Sequence, residues 1–217
     1  MDFEQARFNM VEQQIRPWEV LDQEVLDLLF VVKREEFVPP AYRQIAFADL
    51  EIPLGHGATM LTPKIEARAL QALQVRKSDH VLEIGAGSGY MAALLAAKAD
   101  QVWTIEIVPE LARSARENLQ RNRVDNAVVE EGDGAQGWPA HAPYDVIVAS
   151  GSMPVLPDPL LQQLKVGGRL FAVVGEPPVM QARLVTCVGD GTFQTLNLFE
   201  TNVAPLQNAP RATRFVF

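Results

Sequence analysis

Cysteine is almost absent. Cys187 is the only one in 217 residues, which excludes a disulfide framework and any thiolate metal cluster. It lies in the apolar run 184–188, the setting of a small buried residue rather than of a nucleophile. Histidine is scarce as well. The three, His56, His80 and His141, have no i,i+4 partner and no carboxylate at ligand spacing, so no metal site is expected. Surplus positive charge is also missing: 19 Lys and Arg face 27 Asp and Glu, a net charge of -8, which disfavours a nucleic-acid partner. Arg113, Arg116, Arg121 and Arg123 alternate with Glu110, Glu117 and Asp125, as on a solvated helix face. No apolar run approaches the roughly 18 residues that span a bilayer. The opening MDFEQ lacks the basic and apolar regions of a signal peptide. These absences together lead us to expect a cytoplasmic chain with neither membrane nor nucleic acid as partner, working as a monomer.

What is present suits a folded core: 48% of the residues are hydrophobic and 21% charged. The length fits one domain, read as an N-terminal helical cover over 1–62 and a core over 63–217. Residues 3–16 predict a helix with Phe8, Val11 and Ile15 on one face, ended by Pro17. A second helix starts at Asp22, an N-cap candidate, and turns Val25, Leu26, Leu29 and Phe30 inward. Pro53, Gly55 and Gly57 make 46–60 irregular. Thr62-Pro63 then reads as a cap and first helical residue, with Ile65, Ala69, Leu70 and Leu73 as the inward stripe.

From His80 onward strands alternate with helices. Strands are expected at 80–84, 101–106, 127–131, 144–149 and 169–174, and helices at 88–98, 109–121 and 157–165. That alternation implies an α/β fold with a mostly parallel sheet covered on both faces. Two further extended runs, 182–188 and 193–200, are joined by Gly189-Asp190-Gly191, which predicts a closing antiparallel hairpin. Of the tryptophans Trp103 and Trp138, the second sits beside Pro139 in a loop and is expected to be the more exposed.

Chemistry concentrates in VLEIGAGSGY, residues 81–90: an apolar strand, three alternating glycines and an Ala-rich helix. Glycines at the C-terminal end of a parallel strand let the backbone turn sharply and let a ligand approach without a Cβ in the way. The dinucleotide pattern G-x-G-x-x-G is not met, because Tyr90 stands where its third glycine would be. Glu83 precedes the loop, Glu106 ends the next strand where an acidic side chain can accept ribose hydroxyls, and Gly132-Asp133-Gly134 follows the third.

The arrangement E-x-G-x-G-x-G over 83–89 resembles the first motif of class I S-adenosylmethionine methyltransferases. That resemblance implies a Rossmann-like doubly wound sheet and a cofactor, S-adenosyl-L-methionine, held by Glu83, Gly85, Ala86, Gly87, Ser88 and Gly89. Glu106 with Ile107 would take the ribose, and Asp133 with Gly134 the adenine. Residues 10–15, 34–39, 46–49 and 53–59 are similar to the N-terminal region of protein-L-isoaspartate O-methyltransferases, and 144–145, 154–157 and 167–170 match in order. The acceptor this implies is an isoaspartyl-containing protein or peptide, methylated on its carboxylate in protein repair. The family's segment Thr-Ile-Ser-x-Pro reads Thr59-Met60-Leu61-Thr62-Pro63 here, so Leu61 stands at the active-site serine position. Thr59, Leu61 and Thr62 are the acceptor-side candidates. Ser150-Gly151-Ser152 replaces a small Ala-rich stretch beside the substrate. Three alternatives stay open: a methyltransferase with another carboxylate or small-molecule acceptor, a cofactor-binding paralogue without turnover, and a nicotinamide dehydrogenase.

Overall fold

The computed structural model describes residues 2–211. Two helices open the chain, α1 (Phe3–Met10) and α2 (Gln23–Val31), each capped by an aspartate: Asp2 accepts from the amides of Glu4 and Gln5, and Asp22 from those of Glu24 and Val25. The expected helix over 3–16 is present but changes its winding. A π-type turn over Val11–Ile15 and a 3-10 turn over Arg16–Trp18 replace its second half. Val11 and Ile15 are buried as expected, but Phe8 is 49% exposed, because Arg7, paired with Glu35, takes the inward face of α1.

The segment expected to be irregular folds into a small hairpin, β1 (Ile52–Gly55) and β2 (Ala58–Met60), with its turn at 55–57 in the left-handed region. Helix α3 (Pro63–Leu73) starts at Pro63 and buries Ile65, Ala69, Leu70 and Leu73. Thr62 stands at its N-cap position, yet its side chain makes no capping bond.

The main sheet has seven strands in the order β5-β4-β3-β6-β7-β8-β9. Strands β3 (His80–Ile84), β4 (Gln101–Glu106) and β5 (Ala127–Glu131) have the expected bounds. Strands β6 (Tyr144–Met153) and β7 (Leu164–Glu176) run longer than the apolar runs suggested. β7 absorbs the end of the expected helix 157–165, leaving only α6 (Asp158–Leu161). The other two crossover helices are α4 (Tyr90–Ala96) and α5 (Pro109–Arg121). Strands β8 (Val179–Gly189) and β9 (Thr192–Thr201) close the sheet antiparallel, and Gly189 faces Thr192 across the Asp190-Gly191 turn.

Each central strand is buried on both faces, so its residues alternate between two cores. Val81, Val102, Val146 and Phe171 face α3, α4, α5 and the N-terminal helices. Leu82, Ile147 and Leu170 face α6 and the segment around Trp138. Trp138 is half-buried, as is Trp103: its indole N–H donates to Glu130 and its ring lies against Gly132. Cys187 is buried. No helix among the described residues is long and apolar enough to cross a membrane.

The chain winds outward from β3 to β5 on one side and from β6 to β7 on the other, so the winding reverses between β3 and β6. In open sheets of this kind the crevice for ligands lies beyond the strand ends at that reversal. Register puts Ile84, Ile105 and Ala149 level with one another, so Gly85, Glu106 and Ser150 share one rim.

Candidate active site

The glycine loop leaves β3 at Gly85, whose amide donates to the Ile105 carbonyl at 2.8 Å. Two of its glycines have steric reasons. Gly87 has φ +51° and donates its N–H to Glu106 Oε2 at 2.9 Å, and a Cβ there would stand 3.0 Å from Leu54 of the hairpin. Gly89 has φ +81°, and a Cβ would press within 3.2 Å of the Ala115 carbonyl, so it permits the close approach of α4 to α5. The packing role of a third glycine therefore falls to Gly89, which frees Tyr90 to be a buried aromatic against Phe37, with ring centroids 5.4 Å apart.

Glu106 is 5% exposed, held at the rim by two backbone donors: Gly87 N–H on Oε2 and Val108 N–H at 3.0 Å on Oε1. A carboxylate has about four acceptor sites, so each oxygen keeps one for a ligand hydroxyl. Asp133 is exposed beyond β5; its Oδ1 accepts from the Ala135 amide at 3.0 Å and its Oδ2 from the Asn208 side chain at 2.9 Å.

These residues line one cleft, about 730 Å³ counted with its open mouth. Ile84, Gly85, Gly87, Glu106, Ile107, Asp133 and Gly134 form one end. Ala58, Thr59, Ser150 and Gly151 form the other. A C-terminal strap over 203–207 makes the far wall. It is held by backbone bonds between Ser152 and both Ala204 and Leu206, each 2.9 Å, and by the Ser152 hydroxyl on the Val203 carbonyl at 2.8 Å. Leu206 lies over Gly85 and Gly151, where a Cβ on either would stand 3.1 or 2.8 Å from its methyl carbon.

Glu83 is placed differently. It is fully buried, with Oε1 accepting from the Ser150 hydroxyl and Oε2 from the Thr104 hydroxyl, both at 2.7 Å. It lines a small adjoining cavity with Leu61, Glu66, Ala86, Ser88 and Met91, which shares Thr59, Gly85, Gly87 and Ser150 with the main cleft. Burial pushes its pKa up to about 8 against those two hydrogen bonds, with Glu106 and Glu66 adding to the rise. Burial likewise raises Glu66 to about 7, against the pull of its ion-pair partner Arg34.

Of the acceptor-side candidates, Thr59 alone reaches the main cleft, and its hydroxyl donates to Glu51 at 3.0 Å. Leu61 is buried and borders only the small cavity. The buried Thr62 hydroxyl finds no hydrogen-bond partner among the described residues and faces neither space. Sequence reasoning did not single out Glu51, Leu206 or Asn208, which reach the site from other segments. Ser150 carried a signal in its hydroxyl just past the expected strand end at 149, and it lies within β6. No group of three His, Cys, Asp or Glu side chains suited to a metal occurs among the described residues.

The cradle fits an adenosine bearing an amino-acid tail. Glycines 85 and 87 leave room at the strand end, Glu106 offers two oxygens to a pair of hydroxyls, and Asp133 stands beyond them beside an apolar floor of Ile84 and Ile105.

Comparison with known proteins agrees with that geometry. Residues 5–209 match the family model described as protein-L-isoaspartate(D-aspartate) O-methyltransferase. A protein-L-isoaspartate O-methyltransferase of Gloeobacter violaceus is 41% identical over 91% of this chain and 96% of its own length. One of Methanoculleus marisnigri is 42% identical over 92% and 90%. A solved protein-L-isoaspartate O-methyltransferase superposes with a TM-score of 0.81 at 25% identity, covering 93% of this chain and 66% of that one. A putative one from Plasmodium falciparum, in complex with S-adenosyl-L-homocysteine, shares the fold at a TM-score of 0.80 and 21% identity, over 92% and 97%. With the cleft, the sheet order and these matches in agreement over nearly the whole chain, it belongs to the protein-L-isoaspartate(D-aspartate) O-methyltransferase family.

Proposed function

We propose that this chain transfers a methyl group to the carboxylate of isoaspartyl residues in damaged proteins and peptides, as a cytoplasmic monomer. One observation carries the reading: a single cleft joins an acidic end, Glu106 and Asp133, to a hairpin end at Thr59, with no basic side chain among the described residues that line it. In this proposal residues 1–62 are the acceptor-side cover and 63–217 the cofactor core of one methyltransferase domain.

S-adenosyl-L-methionine, when bound, supplies a methyl on a positively charged sulfur. The chain's own residues position the two reactants. Glu106 would accept the ribose hydroxyls and Asp133 the adenine amino group, with Ile84, Ile105 and Ile107 as the apolar lining beside them. Glu83 acts from behind Ser150, so its influence on the methionine amino group passes through that hydroxyl. The acceptor carboxylate, with an ordinary pKa near ~4, is ionised at neutral pH and attacks without a general base. Positioning then carries most of the rate, and no His or Lys lines the cleft among the described residues, which fits that chemistry.

Methyl transfer from labelled S-adenosylmethionine to an isoaspartyl peptide, against its normal aspartyl twin, tests the proposal. We expect the isoaspartyl peptide to be methylated and its twin ignored. Equal labelling of both, or of neither, overturns it. A second reading, a less polar acceptor, is favoured by Leu61, whose apolar side chain stands where the family's serine would offer a hydroxyl. Leu61→Ser separates the two, because isoaspartyl activity appearing only in the variant selects the second.

A further inference from the structure

The acceptor-side segment 59–62 is anchored by a buried side chain outside the cofactor motifs. Arg34 is 1% exposed, and its guanidinium serves three separate parts of the chain. Nε donates to the Ala46 carbonyl at 2.9 Å, Nη2 donates to the Leu61 carbonyl at 2.6 Å, and Nη1 pairs with Glu66 of α3. The flat face of the group lies 5.1 Å from the centre of the Tyr90 ring, at the residue that opens α4 directly after the glycine loop.

Burying a guanidinium is costly unless every direction of its fork is met. Charge balance alone asks only for Glu66. The bond to the Leu61 carbonyl needs a planar fork with donors at fixed angles, which a lysine cannot supply while also pairing with Glu66. That carbonyl belongs to the position where the family's serine stands, two residues after Thr59, which lines the cleft. Fixing the backbone at Leu61 therefore fixes the end of β2 and the wall to which Thr59 belongs.

We propose that Arg34 is a positioning residue for methyl transfer, holding the 59–62 backbone through the Leu61 carbonyl and so setting the acceptor end of the cleft. It rests on the reading of the hairpin end as the acceptor end. Because the anchor grips backbone, it acts whatever side chain occupies position 61, and the frame survives a leucine in place of serine.

Two variants test it. Arg34→Lys keeps a charge for Glu66 but loses the fork; Arg34→Met with Glu66→Leu removes both charges and leaves no unpaired buried carboxylate. Each is measured for cofactor Kd by calorimetry, for KM and kcat with the isoaspartyl peptide, and for amide hydrogen exchange at 60–62. In both we expect the acceptor KM to rise roughly ten-fold or more, the loss of a charged hydrogen bond, with cofactor Kd unchanged within about twofold. Exchange at 60–62 should accelerate. An unchanged acceptor KM and unchanged exchange in Arg34→Lys overturns the proposal. So does a cofactor Kd that worsens in step with acceptor KM, the mark of a merely structural role. If Arg34→Lys does not fold, the double variant gives the same readouts. If the native chain methylates no isoaspartyl peptide, the proposed function fails, while hydrogen exchange and cofactor Kd still decide the role of Arg34.

Discussion

In the proposed function Glu106 takes the ribose, and its two oxygens already accept the amides of Gly87 and Val108 at the wall of the cleft. Glu106→Gln replaces one oxygen with an amide group of the same shape. Whichever way that group turns, a donor then meets a backbone donor, and one acceptor for the ribose is lost. We expect cofactor affinity to fall by roughly 10- to 100-fold, about 1.5–3 kcal/mol for hydrogen bonds to a charged group. Calorimetric titration measures it, and an unaltered Kd removes Glu106 from the ribose. Its place at the rim of the cleft was legible in the sequence because an acidic residue ends the strand after a glycine loop. Glu83 was legible as a residue but not in its place. Val148 faces it across the sheet, and Ser150, two residues further along β6, donates its hydroxyl to it, and a list of motifs carries no information on which hydroxyl intervenes. Leu206 and Asn208 were not legible at all, since they meet Gly85 and Asp133 only through the folded strap.

Helix starts show the same division between what a pattern predicts and what packing decides. Asp22 and Thr62 both look like caps, yet Asp22 accepts from two amides and the Thr62 hydroxyl from none. Asp22→Ala should therefore cost about 1 kcal/mol, the ordinary value of a working cap. Thr62→Val should cost nothing measurable or stabilise slightly, because an unpaired buried hydroxyl gives way to a methyl group. Urea unfolding of the two variants checks the contrast, and equal losses would show the Thr62 hydroxyl bonded after all. Among the elements, β3, β4, β5 and α5 were read with their observed bounds, because strands buried on two faces and a long amphipathic helix leave strong apolar patterns. The hairpin 52–60 was missed since Pro53, Gly55 and Gly57 read as breakers, whereas here they shape the bend of a short two-stranded ribbon. The span of the N-terminal helix was legible but its winding was not: the chain stays helical over 3–18 while passing from α through a π-type to a 3-10 turn.

At the scale of the whole molecule, the two buried carboxyls beside the cleft make stability depend on pH. Glu83 is held near 8 by burial, and Glu66 near 7, both above the ordinary 4.5. A raised carboxyl pKa means that the folded chain binds a proton which the unfolded chain has already lost. Stability from these groups is therefore complete below about pH 4.5 and declines as pH rises toward 8, by at most about 1.4 kcal/mol per unit for each group. Glu83 is the cleaner case, since no cation pairs with it and Ser150 and Thr104 are neutral donors. Glu83→Gln keeps the size of the side chain and an oxygen for one of the two hydroxyls, while its amide never ionises. We expect the fall in unfolding free energy between about pH 5 and 8 to become shallower in the variant. The variant should also lose less stability relative to native chain at pH 8 than at pH 5. Urea titrations across that range measure both. An identical slope in the two proteins would mean that Glu83 is ionised in the folded state, so that its two hydroxyl donors outweigh its burial.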